Sequence, residues 1–165
     1  MIAVAAGVGA SPELRARLAD LYGGYDEALA EGEYERWPDF FTAACVYRIT
    51  SRENYDAGLP VALIYAESRA MLVDRVAALR KTLLYAPRIT RNLTAAIVLR
   101  SIQPDGMRLS ASFAVFQTLI NEPSAVFLCG RYYDRVVEDG GTLRFAERVC
   151  VTDATVVPTS LIFPL

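Results

Sequence analysis

The stretch MRLSASFAVFQTLI, Met107 to Ile120, decides the fold. Leu109, Ala111, Phe113, Val115 and Leu119 fall on one face at the period of two that marks a strand. Ser110, Ser112, Ala114, Phe116, Thr118 and Ile120 share the other face, which is also substantially apolar. A strand apolar on both faces must be covered on both sides. Helices can cover one of them, and a second subunit is the economical cover for the other.

Three similar runs flank this stretch: Asn92 to Ile102, Ala125 to Val137 and Thr142 to Val151. Gln103-Pro104-Asp105-Gly106, Asn121-Glu122-Pro123-Ser124 and Glu138-Asp139-Gly140-Gly141 separate the four, and each has hairpin chemistry. The C-terminal half therefore reads as a meander of long antiparallel strands.

The N-terminal half reads differently. Ser11-Pro12-Glu13 starts a helix, with Ser11 as N-cap, Pro12 in the first turn and an acid at the positive end of the dipole. Leu14, Leu18, Leu21, Tyr25 and Leu29 continue it at helical spacing to about Gly32. A short second helix is expected over Glu33 to Phe41, pinned to the core by Trp37, Phe40 and Phe41. Cys45 to Ser51 reads as a strand and Asn54 to Pro60 as a polar loop. Ser68 to about Leu84 is a third helix with Leu72, Val76, Leu79 and Leu83 on one face, closed by Pro87. Helices followed by a meander give an α+β layer architecture. The expected organisation is an N-terminal mobile arm over residues 1–10 and one domain over 11–165.

Composition removes much chemistry. The 165 residues include no histidine and three widely spaced cysteines, Cys45, Cys129 and Cys150, with no CxxC pair. A Rieske cluster needs two histidines beside two cysteines, and a mononuclear non-haem iron site needs two histidines and a carboxylate. Neither fits this chain, nor does a Ser-His-Asp triad. The cysteines read as small buried hydrophobes in a reducing, cytoplasmic compartment. Mean hydropathy of +0.25 and 53% hydrophobic residues, without an apolar run of membrane length, point to a large subunit interface. A net charge of −2 gives no basic footprint for nucleic acid. All basic residues except Lys81 are arginines, which suit desolvated ion pairs.

Acid–base candidates are Tyr22, Asp39, Tyr47, Tyr65, Tyr132, Tyr133, Asp134 and Glu147. A carboxylate among aromatics with a tyrosine as oxyanion contact would suit an isomerase or dehydratase, and Asp39 with Tyr47 is the pair chosen for that alternative. Satisfied polar tips at a sheet or an interface explain the same residues. Arg131, Arg135 and Arg148 in the closing strands, with Leu161 and Phe163 in the uncharged tail from Ala154 to Leu165, are the interface candidates.

Several stretches in order carry a resemblance: RWPDFF (Arg36–Phe41), CVYRIT (Cys45–Thr50), SRENYDAGLP (Ser51–Pro60), IYAESRAMLVDRVAALR (Ile64–Arg80), GRYYD (Gly130–Asp134) and RFAERVCVTD (Arg144–Asp153). Together they resemble the small (β) subunit of Rieske-type aromatic-ring-hydroxylating dioxygenases, especially those acting on terephthalate, anthranilate or salicylate. One departure is visible: relatives often have Arg-x-Arg-His where this chain reads Ile89-Thr90-Arg91-Asn92, so asparagine replaces the histidine. The resemblance implies an NTF2-like (SnoaL- or ketosteroid-isomerase-like) cone, with a curved antiparallel sheet wrapped around N-terminal helices. It also implies a structural role without a catalytic centre or cofactor in this chain. The Rieske [2Fe-2S] cluster and mononuclear Fe(II) would belong to the α subunit, in an α3β3 assembly.

Overall fold

The computed structural model describes residues 4–5, 10–81, 86–156 and 161–165. Helix α1 spans Pro12–Ala30, and the Ser11 hydroxyl accepts from the Leu14 amide, the cap expected from sequence. A 3-10 helix follows over Tyr34–Phe40 and runs directly into strand β2, Phe41–Ser51. Helix α3 covers Arg69–Lys81 and buries Leu72, Val76 and Leu79 as expected; Leu83 lies outside the described residues. The four long runs are strands β4 (Arg88–Gln103), β5 (Gly106–Leu119), β6 (Ala125–Asp139) and β7 (Thr142–Thr152). The β6–β7 hairpin turns on Gly140 and Gly141, both at positive φ, as a tight two-residue turn requires.

Three short elements escaped the sequence reading. Val4–Ala5 form strand β1, the rest of the supposed N-terminal arm up to Gly9 lying outside the described residues. Arg52–Asp56, running into the polar loop expected from Asn54, form the one-turn helix α2, capped by the Ser51 hydroxyl. Ile64–Ala66 form strand β3.

The strands make one sheet in the order β1-β4-β5-β6-β7-β2-β3. It is mixed and not purely antiparallel, because β2 runs parallel to β7 and β1 parallel to β4. Bringing β2 alongside the last strand carries the 3-10 helix over the concave face, where α1 also packs. The result is an NTF2-like α+β cone. Its core joins Leu18, Tyr22, Tyr25 and Leu29 of α1 to Trp37, Phe41 and the inward residues of β2 and β4–β7.

Two irregularities decide which residues face inward. In β4, Asn92 and Thr94 are buried; the register then breaks between Ala95 and Val98, with Ala96 at φ 51, and Ile97 and Leu99 are buried instead. In β7, Arg135 opposes Glu147 and the next residue, Val136, opposes Phe145, so Ala146 is skipped. One extra residue inverts the alternation of a strand. Phe145 therefore points inward, and so do Arg148 and Cys150, which simple alternation places on the opposite face.

At Gly130 in β6 the neighbouring backbone leaves no room for a side chain. A Cβ there would stand 2.0 Å from the Val151 carbonyl oxygen. Gly130→Ala should therefore destabilise the chain by about 3 kcal/mol or more, the upper end of the overpacking range, with a matching fall in the urea midpoint. An unchanged midpoint would mean that β6 and β7 separate freely at this point.

Candidate functional site

The inverted face of β7 brings Arg148 to the centre of the cone. It is wholly buried, as is its partner Asp134 of β6, directly opposite in the ladder. Arg148 Nε donates to Asp134 Oδ1 at 3.0 Å and Nη2 to Oδ2 at 2.9 Å, a bidentate pair. The Tyr22 hydroxyl of α1 donates to Oδ2 at 2.5 Å. Both carboxylate oxygens are thus engaged. The guanidinium carbon lies 3.8 Å from the Phe145 ring centroid, 4.2 Å from those of Tyr25 and Tyr132, and 5.0 Å from that of Tyr22. Aromatic faces replace part of the hydration that Arg148 loses.

Electrostatics follow the geometry. Burial alone would favour loss of the Arg148 proton, but Asp134 and the surrounding phenols outweigh it and hold the guanidinium well above its ordinary value. Burial, and then the Asp134 carboxylate, hold the Tyr22 phenol well above its own. Burial pushes the Cys150 thiol up to about 12. A base must be free to reach a substrate proton. Asp134 is locked by its cation and phenol, and the tyrosines keep their protons.

A second carboxylate, Asp26, lies on the buried face of α1. Its oxygens accept from the Thr94 amide at 2.8 Å and the Thr94 hydroxyl at 2.9 Å, tying α1 to β4. Burial raises its pKa, against the lowering effect of these hydrogen bonds.

The tail fills the remaining depth. The Leu165 carbonyl accepts from the Tyr25 hydroxyl at 2.6 Å, and its amide donates to the Tyr47 hydroxyl at 2.9 Å. Trp37 Nε1 donates to the Tyr25 oxygen at 3.0 Å, which completes a chain from the 3-10 helix to the tail. Phe163 stacks obliquely against Tyr34, with centroids 5.4 Å apart. Beside them a hollow of about 10 Å³ is lined by Leu29, Asn92, Val115, Phe163 and Leu165, among others. That is roughly the space of one water. Asn92 is buried, and its Nδ2 finds no partner among the described residues.

Several sequence expectations need correction. Tyr22, Tyr47, Tyr132 and Asp134 do converge in the cone, but Asp39 does not: it is exposed and borders a surface hollow of about 460 Å³ beside Arg17, Arg36 and Arg144. Asp39 and Tyr47 therefore share no site. Arg148 is no interface residue, because the skipped Ala146 turns it inward. Phe163 is also interior, and Leu161 packs against the core, whereas Arg131 is exposed and Arg135 partly so. Cys45 and Cys150 are buried as expected, but Cys129 is exposed on the outward register of β6. Tyr65 is exposed, and Tyr133 and Glu147 face outward. Tyr25, Asp26 and Trp37 were missed as site residues. Asp26 had a signal: four residues after Tyr22, it interrupts an otherwise apolar stripe.

Removing either member of the buried pair leaves the other charge unpaired. Asp134→Ala or Arg148→Ala should each cost about 3–5 kcal/mol and lower Tm by roughly 6–20 °C. The double variant Asp134→Leu/Arg148→Met should recover much of that loss. Additive losses in thermal melts would show that the two groups act independently.

Comparison with known proteins agrees with this architecture. The sequence profile described as "Ring hydroxylating beta subunit" matches residues 26–159. The anthranilate 1,2-dioxygenase small subunit of Burkholderia cepacia is 34% identical over 137 residues, covering 83% of this chain and 85% of that one. A β subunit of the terminal oxygenase component of terephthalate 1,2-dioxygenase from Comamonas sp. is 32% identical over 149 residues, covering 90% and 97%. A crystal structure from Novosphingobium aromaticivorans, described as the β subunit of an aromatic-ring-hydroxylating dioxygenase, superposes with a TM-score of 0.83 at 35% identity, covering 91% and 95%. The chain belongs to the ring-hydroxylating dioxygenase β-subunit family.

Proposed function

We propose that this chain is the non-catalytic structural and assembly subunit of an aromatic-ring-hydroxylating dioxygenase, a single NTF2-like domain over residues 11–165 that joins an iron-bearing α subunit in the cytoplasm. The observation that carries the reading is the occupied cone. Where a free-standing enzyme of this fold would need space and an available base, this chain has a locked ion pair and its own tail. The chemistry of its donor set agrees. Without histidine, and with Cys45, Cys129 and Cys150 on separate strands, the chain cannot assemble the ligands of a Rieske cluster or of mononuclear iron. Among the described residues no three potential metal ligands gather. The iron centres are therefore assigned to the partner.

Self-association as a trimer within an α3β3 complex is the proposed assembly. The outer face of the sheet supports it: Ile89, Leu93 and Val126 are exposed beside the half-buried Phe116. Arg131 and Arg135, on the same face of β6, would supply polar contacts at the rim. The substrate is proposed to be a carboxylated aromatic ring, by analogy with the anthranilate and terephthalate enzymes.

Co-expression with a Rieske-type α subunit should give a mixed hexamer by light scattering, and Leu93→Asp should shift it toward smaller species without unfolding the chain. Tyr47→Phe should leave turnover per iron unchanged within the assembled complex. A chain that stays monomeric beside its partner would overturn the scaffold reading. Loss of turnover by Tyr47→Phe with iron intact would assign a direct role to the cone.

A further inference from the structure

A further hollow, of about 300 Å³, lies on the outer face of the sheet. Arg48 of β2, Arg100 of β4 and Arg108 of β5 line it, with Tyr133 of β6 and Glu147 of β7, and Tyr55 of α2 overhangs it. Asp134 also borders it, but its carboxylate is committed to Arg148 inside the cone. Three guanidiniums thus meet one available carboxylate. That carboxylate, Glu147, already faces Arg135 at 4.0 Å.

The donors are left short of acceptors. Arg100 Nε is held by the Ser110 hydroxyl at 2.9 Å, and Arg108 Nη2 by Asp105 at 2.8 Å. Arg48 Nε and Arg108 Nη1 are buried, with no acceptor among the described residues. Buried donors without acceptors are costly, and an anion bound between them removes that cost. One wall is aromatic: Tyr55 and Tyr133 stack with centroids 4.8 Å apart and planes 6° from parallel. Guanidinium forks bind carboxylates in a plane, and an aromatic wall favours a flat apolar body behind them. The volume sits at the small end of ligand pockets.

We propose that this outer-face pocket binds a carboxylate, gripped by Arg48 and Arg108 and bordered by the Tyr55–Tyr133 stack. The carboxylate comes from a free aromatic acid or from an acidic side chain of another chain in the assembly. The site is separate from the cone interior; only its second source, a side chain of another chain, rests on the assembly proposed above.

The probe is benzoate, with benzamide as its uncharged counterpart, titrated into the purified chain and followed by calorimetry and saturation-transfer NMR. Benzoate should bind at least ten-fold more tightly than benzamide, and Arg48→Met and Arg108→Met should each remove at least ten-fold of the benzoate affinity while the far-UV spectrum is kept. That result identifies a free acid as the source. If benzoate does not bind, but both variants weaken self-association or partner capture at least ten-fold while Lys81→Met, at the exposed end of α3, does not, the carboxylate is a protein side chain. Equal binding of benzoate and benzamide overturns the proposal. So do Met variants that bind and assemble like the parent chain.

Discussion

Everything inside the cone is arranged around one desolvated cation. Arg148 cannot be hydrated where it sits, so its environment must supply what water would. Asp134 provides the countercharge, Tyr22 adds a third donor to its carboxylate, and four rings present their faces. The ion pair itself joins β6 to β7, and its set of partners is complete only once Tyr22 of α1 has docked on the sheet. A buried pair of this kind adds little net stability compared with an apolar isostere. Its value lies in specificity, because any misregistered sheet strands a charge.

That arrangement also explains why the fold serves better here as a support than as a reaction vessel. Catalysis in a cone requires a group whose proton affinity is tuned for exchange and which a substrate can reach. The carboxylates of this interior are bound to Arg148 and Tyr22 or to Thr94, and the phenol of Tyr25 holds the tail. A filled interior stiffens the sheet, and a stiff sheet can present its outer face to other chains.

Much of this was legible in the sequence, and the limits of legibility were local. Hairpin turns, helix caps and the alternating faces of β5 depend on short-range rules, and all were readable. The family resemblance extended this to the cone itself. What the sequence hid was parity. The break at Ala96 and the skip at Ala146 carry no glycine or proline to announce them, yet each inverts the strand beyond it. Arg148 therefore read as an interface candidate and proved to be the centre of the interior. The pair Asp39 and Tyr47 failed for a related reason: each lies in a region read correctly, but a 3-10 helix ends between them and sends their side chains to different environments. Elements of two to five residues, such as β1, β3 and α2, are too short for any period to show.

The parallel pairing of β2 with β7 has a consequence during synthesis. Tyr47 finds its ladder neighbour Arg148 roughly a hundred residues later, after every other strand has been made. At ribosomal rates of about 5–20 residues per second, β2 waits on the order of 5–20 s for that edge. It can pair early with β3 on its other side, through Tyr47 opposite Ala66 and Ile49 opposite Ile64. Until β7 emerges, however, the inward row of Phe41, Cys45, Tyr47 and Ile49 belongs to a nascent chain with half a sheet. In that window the unpaired apolar edge of β2 is exposed to chaperones and to aggregation alike, a hazard set by the non-local closure of the sheet and not by the stability of the finished cone.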